Sequence, residues 1–212
     1  MADRFKQLLK GNKDWVENVK QKNPELFSNM AKGQAPPFLW IGCADSRVPA
    51  EDITNSLPGS IFVQRNIANM VVPTDYNLLS VVHYAIKALQ VRHIIICGHY
   101  GCGGIQAAMS NESYGLLDNW LMHIKDVYRL HEAELNAIRD ESARSKRLVE
   151  INVQEQVNNL AKMAFIQKVW QEDEFPYIHG WVFNIESGAL INLEVTIHSA
   201  SHLDTIYRYY NK

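Results

Sequence analysis

The sequence has little cysteine, no long apolar run and no excess of basic residues. Three cysteines in 212 residues are an odd number, which suits metal binding or a buried thiol better than a disulfide framework. Apolar runs are only a few residues long and the chain opens with a charged segment, so we expect neither a membrane span nor a signal peptide. The formal net charge of -2 gives no broad basic surface for nucleic acid. We predict a cytoplasmic protein that binds neither membranes nor nucleic acid.

Linkers and nucleotide-binding signatures are also missing. No Pro/Gly/Ser-rich linker or shift in composition divides the chain, so we predict one domain over residues 1–212. Within it, residues 1–32 are expected to form a helical N-terminal arm, and residues 33–212 an α/β core with closing helices. Neither a G-x-G-x-x-G pattern nor a P-loop lysine accompanies the glycine-rich stretch, which argues against a nucleotide site there.

Two short stretches carry the polar residues that point to chemistry. Residues 38–47 (FLWIGCADSR) and 93–104 (HIIICGHYGCGG) each begin as an apolar run and end in polar residues. Both runs are of strand length and lack polar alternation, which is typical of a parallel strand buried on both faces. Ligands bind at the carboxyl ends of such strands. If the two strands are neighbours, the following side chains converge at that edge: Cys43, Asp45, His99 and Cys102.

The rest of the pattern predicts an α/β fold in which helices flank a central, mainly parallel sheet. Amphipathic spacing predicts a helix at residues 3–21, which Gly11 can break, and Asn23 and Pro24 begin a short second helix. Four parallel strands and one antiparallel edge strand are expected, beginning at residues 38, 60, 93, 177 and 190, the last two joined as a hairpin. Further helices are expected at residues 75–90, from Gly103, over most of 116–172, and from near Ser199.

The motifs Cys43-x-Asp45 and His99-x-x-Cys102 supply two thiolates, an imidazole and a carboxylate. This donor set is typical of zinc. Four closed protein ligands indicate a structural site, whereas a catalytic site keeps an exchangeable position, and the carboxylate leaves both open. Cys97 lies within an apolar run and is interpreted as a buried core thiol.

Two neighbouring features bear on that choice. The planar fork of Arg47 can pair with Asp45 and so compete with zinc for its carboxylate; the alternative is an ordinary surface ion pair at a strand end. Gly103 and Gly104 have no side chains, so their backbone N–H groups can approach whatever binds at the metal, which suits a small anion.

In combination, Cys43-Ala-Asp-Ser-Arg47 and Gly98-His-Tyr-Gly-Cys-Gly-Gly104 resemble the paired signature of the β-class carbonic anhydrases. The resemblance runs from about Gly33 through the closing strands. It implies three permanent zinc ligands and a catalytic dyad, which are Cys43, His99 and Cys102 for zinc and Asp45 with Arg47 for the dyad. It also implies a substrate pocket at Gln34, Phe62, Ile67 and Tyr84, the last contributed by a neighbouring subunit, and we add Gly103 to that pocket.

The resemblance implies a lyase that reversibly hydrates carbon dioxide to bicarbonate and a proton by attack of a zinc-bound hydroxide. Asp45, held by Arg47, would orient this hydroxide and gate the fourth zinc position. Two anionic thiolates make the bound water less acidic than an all-histidine site would, so we expect alkaline activity. A homodimer or homotetramer is implied, with the N-terminal helices wrapping a second subunit. Two alternatives remain: hydrolysis of carbon disulfide or carbonyl sulfide, and a non-catalytic zinc or redox-sensing protein.

One bacterial subset of this family has a regulatory bicarbonate site, and the sequence matches it in part. In that subset a tryptophan, an arginine and a tyrosine bind bicarbonate away from the catalytic centre and favour a closed state with the aspartate on zinc. Trp40 and Arg65 match, and Val48 lies in the loop that shifts. Phe183 stands where the tyrosine would be and has no hydroxyl to donate. We therefore predict a pH-gated enzyme whose inhibition by bicarbonate is weak.

Overall fold

The computed structural model describes residues 2–209, which form two compact units with their boundary between Ala35 and Pro36. The first unit contains helix α1 (Ala2–Lys22) and helix α2 (Leu26–Met30). Within this unit the rings of Trp15 and Phe27 meet edge to face, with centroids 5.5 Å apart.

Two details expected of the first unit are wrong. Helix α1 continues through Gly11, because one glycine costs a helix only about 1 kcal/mol and this helix has 21 residues to sustain it. Helix α2 begins after Glu25 and not at Pro24, so Asn23 is not its N-cap. Instead the carbonyl of Asn23 accepts a hydrogen bond from the N–H of Leu26 at 3.2 Å. This bond closes a turn, and Pro24 and Glu25 belong to that turn and not to the helix.

The second unit contains the sheet and the helices around it. Its described strands are β1 (Phe38–Cys43), β2 (Ile61–Asn66), β3 (His93–His99), β4 (Tyr177–Asn184) and β5 (Ala189–Ile197). Its described α-helices are α3 (Ala50–Ile53), α4 (Tyr76–Lys87), α5 (Gly103–Met109), α6 (Leu117–Leu130), α7 (Glu132–Ala137), α8 (Glu141–Ala161) and α9 (Ala164–Trp170). Short 3-10 turns occupy Ile67–Asn69, Ala200–His202 and Thr205–Tyr207.

The strands form one sheet in the order β2-β1-β3-β4-β5. Strand β1 pairs in parallel with β2 and with β3, and β3 pairs in parallel with β4, whereas β5 runs antiparallel to β4 at the edge. The predicted α/β fold with four parallel strands and one antiparallel edge strand is therefore confirmed. Because β1 and β3 are neighbours, their carboxyl ends meet at one edge of the sheet, as the motif argument requires.

Helix α8 packs against β3, β4 and β5 and comes close to the backbone at Gly98. A Cβ atom at Gly98 would come within 2.7 Å of the Val153 side chain and 3.2 Å of the Val149 side chain. A larger residue there would push the helix away from the strand. Glycine at position 98 therefore allows α8 to pack directly against β3, next to His99.

The prediction of a helix that begins near Ser199 is wrong for the described part of the chain, which ends at residue 209. Two separate 3-10 turns stand in its place. Leu203 between them is buried in the core, and the amide of Gln167 holds the segment by donating to the carbonyl of Tyr207 at 2.9 Å and accepting from the N–H of Tyr209 at 2.9 Å. These bonds replace the ones that a helix would make. Among the helices described, none has the length and apolar character needed to cross a bilayer.

A hydrogen-bonded histidine pair links β3 and β4. Nδ1 of His93 lies 3.0 Å from Nε2 of His179, so one ring donates its N–H to the bare nitrogen of the other. The rings stack with centroids 5.3 Å apart, and Tyr177 stacks on His93 at 5.6 Å. The second nitrogen of His179 contacts the hydroxyl of Thr196 at 3.0 Å. Burial, followed by the charge of His93, lowers the pKa of His179 below its usual value.

We predict that His179 makes the protein less stable in mild acid. A lowered pKa in the folded state means that the unfolded chain takes up a proton first, so this contribution to stability is present above about pH 6.5 and is lost as the pH falls below it. Urea unfolding at about pH 7.5 and about pH 5.5 should show a larger loss of unfolding free energy in the wild type than in His179→Gln. The exposed His123 gives a control, His123→Gln, that should behave as the wild type. Equal losses in all three proteins would contradict the prediction.

Candidate active site

Three possible metal donors lie at the adjoining ends of β1 and β3. Cys43 is the last residue of β1, His99 is the last residue of β3, and Cys102 lies at the start of α5. Their donor atoms all lie within 4.8 Å of one another, and the two sulfur atoms are 3.9 Å apart. All three side chains are buried. The arrangement brings two sulfurs and one imidazole nitrogen to a single point.

The state of His99 indicates that this group can hold a metal ion. Its Nδ1 lies 3.1 Å from the carbonyl oxygen of Tyr100, and since a carbonyl only accepts, Nδ1 carries the proton. Nε2 is then a bare, buried nitrogen for which residues 2–209 provide no hydrogen-bond partner. A buried polar atom without a partner is costly, and a backbone carbonyl on the other nitrogen is the usual support of a metal-bound histidine. The donor set fits zinc.

The contact between the two sulfurs shifts the pKa values of the two thiols in opposite directions. A hydrogen bond from the Cys102 thiol lowers the pKa of Cys43, against the opposing effect of burial, and the hydrogen bond from the Ala68 N–H acts in the same direction. The same sulfur contact and burial raise the pKa of Cys102. A divalent cation would remove this competition because both sulfurs can then be thiolates. Cys97 differs: burial raises the pKa of its thiol, which donates to the carbonyl of Gly98 at 3.3 Å.

Asp45 and Arg47 form a bidentate ion pair beside the donors. The Arg47 Nε and Nη2 groups donate to the two carboxylate oxygens at 2.9 and 2.7 Å, and the Arg47 backbone N–H donates to Oδ1 at 3.0 Å. Nη2 also donates to the Gly101 carbonyl at 3.3 Å. These hydrogen bonds from Arg47 hold the pKa of Asp45 well below its usual range. Oδ2 of Asp45 is 3.7 Å from Nε2 of His99, so the carboxylate borders the donor group while Arg47 engages it.

The residues predicted to bind substrate lie in three places. Ile67 reaches the turn that follows Cys102, because a Cβ atom at Gly104 would come within 2.6 Å of its side chain, and Gly103 begins α5 there. Phe62 on β2 and Tyr84 on α4 contact each other, with ring centroids 5.9 Å apart. Gln34 belongs to the first unit. Roles of these five residues in substrate binding stay predictions.

The residues predicted for the regulatory site are engaged with the protein itself. Trp40 is buried and meets the ring of Trp181 edge to face at 6.2 Å. Arg65 donates through Nε to the Cys43 carbonyl at 2.8 Å and through Nη2 to the Asp45 carbonyl. Val48 and Phe183 are buried. Arg65 therefore holds the loop that carries the cysteine and the aspartate.

Sequence reasoning missed the residues that support the donors. The backbone N–H of Ala68 donates to Sγ of Cys43 at 3.4 Å, and the amide of Asn152 donates to the Ala68 carbonyl at 3.1 Å. Asn152 and Gln156 are buried amides on an otherwise apolar stripe of α8. Two amides four residues apart on a buried helix face were the available signal, because buried polar groups require partners.

A cleft of about 650 Å³ opens beside the Arg47 guanidinium. Tyr100, Gly101, Gln106 and Lys146 are among the residues that line it. The hydroxyl of Tyr100 donates to Glu150 at 2.7 Å, and burial, followed by this bond, raises the pKa of Tyr100 to about 12. Solvent therefore reaches the guanidinium side of the ion pair while the three donors stay buried.

Comparisons with known proteins agree with this arrangement. Residues 38–190 match the family model described as carbonic anhydrase. A carbonic anhydrase of Emericella nidulans is 48% identical over 189 residues, which cover 89% of this chain and 83% of that protein. A tetrameric β-carbonic anhydrase structure from Sordaria macrospora superposes with a TM-score of 0.88 at 39% identity, covering 92% of this chain and 99% of that one. The structure of the Coccomyxa β-carbonic anhydrase in complex with acetazolamide superposes with a TM-score of 0.88 at 32% identity, covering 92% of this chain and 89% of that one.

The α/β sheet, the Cys-His-Cys group that could hold a metal ion and the similarity to these enzymes together place the chain in a class of metal-binding enzymes. The chain belongs to the carbonic anhydrase family, in its β class, and is an enzyme of that family.

We predict that removal of any one of the three donors releases the metal. Zinc analysis by atomic emission should find little zinc in Cys43→Ser, His99→Ala and Cys102→Ser, because each leaves only two buried donors. Cys97→Ser is the matched control: it changes a buried cysteine of the same strand region, so zinc should stay bound. Stoichiometric zinc in a donor variant would remove that residue from the site.

Proposed function

We propose that the protein catalyses the reversible hydration of carbon dioxide to bicarbonate, with a zinc ion held by Cys43, His99 and Cys102. The observation that carries this proposal is the bare, buried Nε2 of His99 next to two sulfurs, in a chain of the carbonic anhydrase family. Zinc bound to this set supplies the Lewis acidity that makes water a nucleophile near neutral pH.

Asp45 is proposed to orient the attacking water. Its lowered pKa keeps the carboxylate an acceptor of hydrogen bonds throughout the neutral range. Arg47 binds both carboxylate oxygens and so fixes the orientation of the Asp45 carboxylate. A water molecule that donates to Asp45 is then held in one orientation. The same ion pair would help to keep the fourth metal position exchangeable, because Arg47 competes for the carboxylate that could otherwise bind there. An ion pair whose guanidinium is exposed to solvent adds little stability, and its proposed value is therefore in positioning the carboxylate.

The protein is proposed to act as a homo-oligomer, either a dimer or a tetramer, in the cytoplasm. Helix α1 has large apolar side chains that are exposed in the single chain, namely Phe5, Leu8, Leu9 and Trp15. Burial of such a stripe against a second copy would stabilise both copies, and the similar Sordaria macrospora enzymes are tetramers. Three free cysteines are compatible with a reducing compartment.

The dyad is tested by Arg47→Ala. We predict that zinc stays bound, since the three donors are untouched, while kcat falls by roughly 100-fold because Asp45 is no longer oriented. Stopped-flow measurement of carbon dioxide hydration together with zinc analysis gives both values. Arg129→Ala is the control, because Arg129 also forms an exposed pair with an aspartate, at 3.4 Å from Asp126, and should leave kcat unchanged. A zinc-replete Arg47→Ala enzyme with full activity would refute the dyad.

Weak regulation by bicarbonate is also proposed. Phe183 lacks the hydroxyl that the regulatory site of the bacterial subset requires, and two nitrogens of Arg65 already bond to carbonyls of the Cys43–Asp45 loop. One missing hydrogen bond to a charged ligand costs about 1.5–3 kcal/mol, or roughly 10- to 100-fold in affinity. Asp45 would still be able to occupy the metal in a closed state, so the gating by pH remains.

We predict that Phe183→Tyr increases inhibition by bicarbonate. Hydration rates against added bicarbonate, at fixed pH and ionic strength, should give an inhibition constant roughly 10- to 100-fold lower in the variant than in the wild type. Phe175→Tyr adds the same hydroxyl near the other end of β4, where the ring lies under Arg92, and should have no effect. Strong cooperative inhibition of the wild type, unchanged in Phe183→Tyr, would mean that the anion is held without a tyrosine.

A further inference from the structure

Helix α8 reaches the metal donors through a chain of two buried amides. Asn152 and Gln156 lie one helical turn apart and are almost fully buried. Nε2 of Gln156 donates to Oδ1 of Asn152 at 3.1 Å, and Nδ2 of Asn152 donates to the carbonyl of Ala68 at 3.1 Å. At the other end, Oε1 of Gln156 accepts the N–H of Val71 at 2.8 Å. Both ends of the chain are therefore backbone groups of one loop.

The direction of every hydrogen bond in this chain is fixed. The Val71 N–H can only donate, so the Gln156 oxygen must face it and the Gln156 nitrogen must face Asn152. The Asn152 oxygen then accepts, and its nitrogen must face the carbonyl of Ala68, which can only accept. A substitution at either amide leaves buried polar groups without partners or reverses one of the bonds.

The loop held in this way has an unfavourable backbone. Ala68 has a φ of 62° and a ψ of 30°, and Asn69 has a φ of 49°, so two successive residues that are not glycine are in the left-handed region. Such conformations persist only where the surrounding structure imposes them. In this backbone conformation the N–H of Ala68 donates to Sγ of Cys43, with 3.4 Å between nitrogen and sulfur. The carbonyl of Ala68 faces α8 and accepts from Asn152.

We infer that Asn152 is a positioning residue that, supported by Gln156, aims the Ala68 N–H at the sulfur of Cys43 and thereby sets how that thiolate binds the metal. This inference rests on the proposed zinc site. A hydrogen bond to a metal-bound thiolate withdraws charge from the sulfur and orients it, and hydrogen bonding at the cysteine sulfur is a recognised way in which proteins tune metal centres. Outer partners of ligands commonly change metal affinity by roughly 10- to 100-fold.

The experiment replaces zinc by cobalt(II), whose thiolate-to-metal charge-transfer band reports the energy of the sulfur lone pairs. Asn152→Leu removes the donor to the Ala68 carbonyl, and Gln156→Met removes the support of Asn152. Without the hydrogen bond from the Ala68 N–H, the lone pairs of the Cys43 sulfur rise in energy. The charge-transfer band should therefore shift to lower energy in both variants, and the shift should be larger in Asn152→Leu than in Gln156→Met. Zinc affinity, measured by competition with a chelator, should fall by roughly 10- to 100-fold in Asn152→Leu.

A control separates positioning from general loss of stability. Gln167 is also a buried helix amide, and it bonds to the carbonyls of Ala161 and Tyr207 and to the N–H of Tyr209. Gln167→Leu therefore loses three hydrogen bonds without touching the loop at Ala68, and its cobalt band and zinc affinity should match the wild type. If Asn152→Leu and Gln156→Met also match the wild type, the inference is overturned.

Two further results decide the remaining cases. Cadmium-113 in the wild type should show a scalar coupling to the amide proton of Ala68 through the sulfur, and absence of that coupling overturns the inference even if neither variant folds. A wild-type cobalt protein with no thiolate charge-transfer band would instead refute the proposed metal site, which distinguishes failure of the proposed function from failure of the inference.

Discussion

The adjacency of strands β1 and β3 is the constraint on which the site depends. Parallel pairing of these strands brings Cys43 and His99 to one edge, and the short turn after His99 returns Cys102 to the same point. Each donor is then buried, and the buried Nε2 of His99 without a hydrogen-bond partner is costly. The geometry of the backbone therefore forms a group that could hold a metal ion, and two sulfurs with one imidazole are a donor set that fits zinc.

Support for the donors comes from three directions. The Tyr100 carbonyl fixes the tautomer of His99, Arg65 holds the carbonyls of the loop after β1, and α8 holds the loop at Ala68. Gly98 permits the last of these because it lets the helix lie directly on β3. The sheet supplies the position of the donors, and these contacts supply their orientation.

The sequence predicted the parallel sheet and the edge hairpin because buried strands and turns leave local patterns of apolar and turn residues. It also indicated the metal donors, since soft ligands cluster at two strand ends. The errors at Gly11, at Asn23 and after Ser199 arose where local preferences competed with specific bonds: a glycine that a long helix tolerates, a turn closed by Leu26, and a terminal segment held by Gln167. The contact from Asn152 to Ala68 joins residues 84 positions apart, and no local pattern encodes such a contact.

The most direct test of the account measures zinc content and carbon dioxide hydration on the same preparation of the full chain, by metal analysis and stopped-flow kinetics across pH. The account predicts about one zinc per chain and a hydration rate that rises toward alkaline pH and disappears when a chelator removes the metal. A zinc-replete protein that does not hydrate carbon dioxide at any pH, or that turns over only carbon disulfide or carbonyl sulfide, would contradict it.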